Sequence, residues 1–186
     1  MTEPGDFQFG GRLALDLTWT VRYRAVQPTE LLAEPDDLRR WLETVELPAL
    51  STPTRADLTA ARALREAIYR AATSMIEGRL IEPGDRSLLN RFAAQPPAFP
   101  ELRTDGTLGV VAPAGKEVPA ALSAVARDAI ELLASGDGRL RQCGGPRCSL
   151  LFHDNSRPGT RRWCNTTRCG NKVNTHAYRE RRRDND

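Results

Sequence analysis

Between 54 and 76 the apolar positions Ala60, Leu64, Ala67, Ile68, Ala71 and Met75 recur every three or four residues. That period predicts a long helix buried along one face, opened by Thr52-Pro53 or Thr54. A shorter helix begins at Pro35-Asp36-Asp37 and runs through Trp41 and Leu42. Another begins at Pro83-Gly84-Asp85, carries Leu88, Leu89 and Phe92, and is ended by Pro96-Pro97. The last covers 118–133, with Ala121, Leu122, Val125, Ile130 and Leu133 facing inward. Asp105-Gly106, between Leu102 and Leu108, signals a small hairpin, and Gly136-Asp137-Gly138 reads as a linker. From 7 to 23 the apolar residues alternate as in a strand, yet Leu13, Leu17 and Val21 also share a helical face. Periodicity leaves both forms open there. The expected class is α+β, with a predominantly helical N-terminal domain over 1–138 and a small module over 139–186.

Length and composition narrow the function classes. A chain of 186 residues, 40% hydrophobic, fills one ordinary core and a small second module, which excludes a large multidomain enzyme. A mean hydropathy of -0.49, and an Arg127-Asp128 pair inside the most apolar stretch, leave no segment near the roughly 20 residues that span a bilayer. The acidic, turn-forming Met-Thr-Glu-Pro-Gly-Asp start has no signal-peptide pattern. The expectation is a soluble cytoplasmic protein without a membrane partner. Residues 1–138 hold no His, no Cys and no phosphate loop, since Gly10-Gly11 lacks the further glycines and lysine of such a loop. No enzyme is expected. Asp16 reads as an ion-pair partner of Arg12 or Arg22 in preference to a pocket residue. Arg39, Arg40, Arg62, Arg65 and Arg70 read as solvated helix faces, and Trp19, Tyr23, Trp41 and Tyr69 as core in preference to the lining of a small-molecule cleft.

The charge is unevenly spread. Residues 1–138 carry −5 and residues 139–186 carry +8, although the whole chain is only +3. A basic end of this kind suits a polyanion partner or a merely solvated tail. All four cysteines fall inside it, as Cys143-x4-Cys148, fifteen residues, then Cys164-x4-Cys169. Two short pairs across a hairpin-length spacer bring four thiolates to one tetrahedral zinc ion. A disulfide framework would need an oxidising compartment, which the N-terminus does not indicate.

Locally, Gly144-Gly145-Pro146-Arg147 turns the chain between the first two ligands, where amides can point at sulfur. Residues 150–153 read as a strand, 155–159 as its turn and 160–163 as the returning strand, followed by a helix capped at Asn165 or Thr166. Knuckle, hairpin and helix around one structural zinc form a treble-clef-like C4 finger. On that helix Arg168, Lys172, His176, Arg179 and Arg183 make one stripe, with Asn171 beside it. Together with Arg161, Arg162 and Arg182 these are the candidate nucleic-acid contacts. DNA is favoured over RNA, because the finger offers a helix suited to the major groove and few aromatics for stacking single strands. A homodimer fits too, since one short helix reads few base pairs. His153 reads as a strand residue and Trp163 as the finger's small core. The rival readings are an RNA-binding protein and a zinc-stabilised protein-interaction module.

The run Trp163-Cys164-Asn165-Thr166-Thr167-Arg168-Cys169-Gly170-Asn171-Lys172, with Cys143 and Cys148 upstream, resembles the CGNR zinc finger. Lys172 stands where the signature has Arg, which keeps the charge and loses the bidentate fork. The run Phe9-Gly10-Gly11-Arg12-Leu13-Ala14-Leu15-Asp16-Leu17-Thr18-Trp19-Thr20 is similar to the opening of the ABATE domain that precedes this finger, with Trp19-Thr20 where the family usually has Asn-Thr. The resemblance implies a bacterial stress-related transcription regulator, in which a mainly helical domain senses a small-molecule effector or stress signal and the finger binds nucleic acid.

Overall fold

The computed structural model describes residue 7 and residues 10–47, 51–165 and 169–170. Five helices share one core: α1 (Leu13–Thr18), α2 (Pro35–Thr44), α3 (Arg55–Ile76), α4 (Pro83–Ala93) and α5 (Glu117–Ala134). Three two-stranded antiparallel pairs accompany them: β1 (Val21–Arg22) with β2 (Thr29–Glu30), β3 (Phe99–Leu102) with β4 (Leu108–Val111), and β5 (Leu140–Gln142) with β6 (Leu151–His153). The chain is α-rich with small strand pairs, the α+β class that its pattern predicts.

Local chemistry explains where the helices start. The Thr54 hydroxyl accepts from the Asp57 amide at 3.2 Å while the Asp57 carboxylate accepts from the Thr54 amide at 2.8 Å, closing a reciprocal cap on α3. At α2 the Asp37 carboxylate accepts the Ala33 and Glu34 amides, each at 2.8 Å, with Pro35 at the first helical position. The open segment over 7–23 resolves as α1 followed by β1. Six residues make too short a helix to stand alone. α5 supplies the missing stability: one oxygen of Asp128 accepts from the Ala14 amide at 2.8 Å and the other from Arg12 Nε at 2.8 Å. Arg12 therefore pairs with Asp128 and not with Asp16. Asp16 accepts the Gly10 amide at 2.5 Å instead and lines a shallow recess with Leu13, Thr44 and Glu46.

α3 is central, lying against α1, α2, α4 and α5. With neighbours on several sides, its buried set is wider than one stripe and includes Leu58, Ala61 and Ala72. Met75, expected inside, is 41% exposed. Arg65 differs most from expectation, being 4% exposed. Its guanidinium forks onto both oxygens of Glu30 at 2.7 Å and reaches Thr20 Oγ1 at 3.1 Å. A planar guanidinium can leave water when a carboxylate meets its fork, which is why residue type alone misled. Among the described residues no helix is long and apolar enough to cross a membrane.

The C-terminal hairpin is also rearranged. β6 forms as expected, but its partner is β5, with Leu140 opposite His153 and Gln142 opposite Leu151. Residues 160–163 do not form the returning strand. A buried carboxylate explains the change: Asp154 accepts the Ser156 amide at 2.9 Å and the Arg161 amide at 2.8 Å, turning the chain out of the ladder. The Ser156 side chain, then the Arg161 and Ser156 amides, hold the Asp154 carboxyl down at about 2.

Candidate metal centre

β5 and β6 bracket the first cysteine pair. The Cys143 amide donates to the Leu150 carbonyl at 2.9 Å, continuing the ladder past Gln142, and the Cys148 amide closes a turn onto the Gly145 carbonyl at 3.0 Å. Gly145 is forced by close approach, because a Cβ there would stand 3.1 Å from Cys148 Cβ and 3.4 Å from Cys169 Sγ. The second pair arrives on the segment after Asp154. The Gly144 amide holds the Arg162 carbonyl at 3.0 Å, and the Cys169 amide donates to the Asn165 carbonyl at 3.0 Å, so Cys169 and Gly170 stand in a helical turn.

The four Sγ atoms of Cys143, Cys148, Cys164 and Cys169 lie within 4.8 Å of one another. Cys164 Sγ is 3.7 Å from both Cys148 Sγ and Cys169 Sγ, far beyond a disulfide. A zinc ion about 2.3 Å from each of four sulfurs in a tetrahedron places them about 3.8 Å apart, so the observed separations fit. The electrostatics agree. Hydrogen bonds from the Cys148 and Cys164 thiols hold Cys143 down at about 2, helped by the amides of Cys164 and Gly145. The same bonds push Cys148 up to about 12 and Cys164 further up. A divalent cation at the centre of the four sulfurs would take the place of the thiol protons and favour the thiolate form of its ligands. These residues hold one structural zinc ion.

A shared wall joins this centre to the helices. Along β6 successive side chains point to opposite sides: Phe152 packs with Cys143 and Cys164, whereas Leu151 belongs to the helical core. Trp19 crosses the same boundary. It follows α1, is 5% exposed, packs with the cysteine cluster, and donates Nε1–H to the Leu151 carbonyl at 2.5 Å. Gly10 makes room, since a Cβ there would come within 3.0 Å of Trp19 Nε1. Two further bonds reach Ser149: the Arg24 amide to its hydroxyl at 3.1 Å and the Tyr69 hydroxyl to its carbonyl at 3.0 Å, with Arg24 stacked 4.1 Å over the Tyr69 ring. Nothing in the periodicity of Arg24, Tyr69 or Ser149 indicates this contact.

Residues 11–136 match the model of the ABATE family, described as a putative stress-induced transcription regulator, and residues 139–182 match that of the CGNR zinc finger. The chain belongs to the ABATE family. No curated relative matches it. In this ABATE protein Trp19 plugs the helical region into the finger.

The remaining candidate residues fall in two groups. Arg161 is occupied by the fold: its Nε donates to the Trp163 carbonyl at 2.9 Å, a terminal nitrogen donates to the Cys164 carbonyl, and the guanidinium lies 5.0 Å over Phe152. Arg162 is exposed and stands 5.3 Å over the Trp163 ring. Arg168, Asn171, Lys172, His176, Arg179, Arg182 and Arg183 lie outside the described residues. His153 sits in β6 and bonds Asn155 Oδ1 at 2.7 Å and Asp137 Oδ2 at 2.8 Å, away from the sulfurs. Among the described residues a cleft of about 570 Å³ opens beside the metal centre, between Arg22, Tyr23 and Val26 on one side and Pro146, Arg147 and Leu150 on the other.

Proposed function

We propose that this ABATE protein is a DNA-binding transcription regulator. Its zinc ion orders the finger, and the basic residues after it meet the phosphates of duplex DNA. The observation that carries this reading is the four-sulfur cluster standing at the head of the chain's most basic stretch, which ends a segment of charge +8. Once zinc fixes Cys164 and Cys169, a following helix would set Arg168, Lys172, His176, Arg179 and Arg183 on one side, with Asn171, Arg182 and the exposed Arg162 nearby. Arg161 supports the second ligand pair. Two paired chains would present two fingers to neighbouring half-sites.

Regulation would enter through the cleft, where a small effector of the helical region would touch the knuckle beside Cys148. Val26, Pro146 and Leu150 line this cleft together with Arg22 and Arg147, which suits a small, mainly apolar effector. Both matched families are regulatory or zinc-finger families, and the reading is non-enzymatic and cytoplasmic.

The test is fluorescence anisotropy of zinc-loaded protein with random duplex DNA and with single-stranded RNA over a salt series. Duplex binding whose log-log salt slope is about −0.9 per neutralised phosphate supports the reading. Stronger binding to single strands makes RNA the partner. Binding to neither moves the basic surface to a protein partner.

A further inference from the structure

The β3–β4 pair lies open to solvent, with every residue of β3 exposed and only Gly109 of β4 buried. Partners across an antiparallel pair share a face, so Pro100 with Val110 and Leu102 with Leu108 form one side, and Phe99 with Val111 and Glu101 with Gly109 form the other. The first side is wholly apolar and wholly outward: Leu102 is 80% exposed, Leu108 73% and Val110 49%. The opposite side differs in carrying the exposed charge of Glu101, next to a half-exposed Phe99, Val111 and the buried Gly109, which Arg103 covers. None of the hairpin residues belongs to the helical core, and the main packing of each strand is on the other. An isolated two-stranded pair is marginal in water, and monomers seldom leave a contiguous apolar patch of this kind uncovered.

Among the described residues no segment covers this face. A second copy can. An uncharged patch meets its own image without like-charge repulsion, as a two-fold contact requires. With Leu102, Leu108 and Val110 this exposed, two such patches buried in full against each other would approach the roughly 1,000 Å² lower bound of a specific interface. Pro100 removes a donor from β3, which favours packing on the face over adding strands at that edge.

We propose that the chain forms a homodimer through the outward face of β3–β4, with Pro100, Leu102, Leu108 and Val110 packed on the same four side chains of the partner. Sedimentation equilibrium of the zinc-loaded full chain over a wide concentration range tests it. The wild type should reach twice the 20.6 kDa of one chain. Leu102→Asp and Leu108→Asp should each raise the dimer dissociation constant about thirtyfold or more, the effect of losing an interface hot spot. Leu80→Asp, at a leucine 91% exposed elsewhere on the surface, should leave it unchanged. Val110→Lys repeats the test, and far-UV circular dichroism with zinc content checks that every variant stays folded. A wild type that remains monomeric, or a dimer indifferent to both leucine variants, overturns the proposal. None of these readouts involves nucleic acid, so they stand or fall apart from DNA binding.

Discussion

The helical region and the finger are stabilised by different physics. Around α3, Leu15, Leu17, Leu38, Leu42, Leu64, Ile68 and Leu122 are each at most 1% exposed, a core that supports itself by apolar burial. The finger core is small, with Leu150 and Phe152 beside the cysteines and Trp19 lent by the other region. Too little apolar surface is available there, so metal–sulfur bonds supply most of the stability. The contrast shows why the boundary matters. Trp19 and Leu151 let the self-sufficient core hold one wall of the dependent one, so the finger is ordered by zinc on one side and by helices on the other.

The sharpest way to break the contrast is to remove a ligand. Cys164→Ser should release zinc and unfold the finger, with a loss on the order of 10 kcal/mol of metal-linked stability. The helices should remain, with a lower melting temperature because Leu151 loses its seat. Metal analysis with hydrogen exchange reads both effects, and a variant that retains its zinc would sink the four-thiolate site.

Trp19→Ala attacks the shared wall. Deleting a buried tryptophan typically costs about 3–5 kcal/mol. Here denaturant unfolding should show that loss at the wall the two regions share, and competition with a chelator should show faster zinc release. A variant with unaltered zinc affinity would mean that the two regions merely touch.

Within the helical region, Arg65→Leu should cost about 3 kcal/mol, because it leaves Glu30 facing the protein without its forked partner. Chemical denaturation measures this, and zinc release should stay at the wild-type rate. Equal loss on both sides of the boundary would mean that the effect passes through Glu66 and Arg24 to Ser149 and is not held within the helical region.

The smallest expected effect concerns pH. Burial, reinforced by the nearby Asp128 charge, raises the Asp16 pKa from its ordinary 3.8 to about 6. The folded protein therefore holds this proton more tightly than the unfolded chain does. That stabilisation is complete below pH 3.8 and is lost as pH rises through 6. Asp16→Asn keeps an oxygen for the Gly10 amide and removes the charge, so it should raise the melting temperature slightly at pH 7 and flatten its fall between pH 4 and 6. An unchanged pH profile would count against a buried, protonatable Asp16.

Part of this architecture is legible in the order of the residues alone. The two C-x4-C pairs announce a metal site because thiolate chemistry and loop closure depend on residue type and spacing, which the chain carries in order. α3 and α5 are legible for a similar reason, since capping and a 3.6-residue period act between near neighbours. Tertiary contact decided the rest. Arg65 is indistinguishable from Arg62 or Arg70 until Glu30 is brought to meet its fork. β6 takes β5 as its partner because Asp154 turns the following segment away, and α1 is a helix only because Asp128 caps it from α5. Trp19 reads as an ordinary core aromatic, and that its core is the finger's depends on an indole N–H meeting a carbonyl that lies 132 residues further along the chain. Local spacing specifies chemistry and helices, whereas which buried group satisfies which partner is settled only when the chain folds.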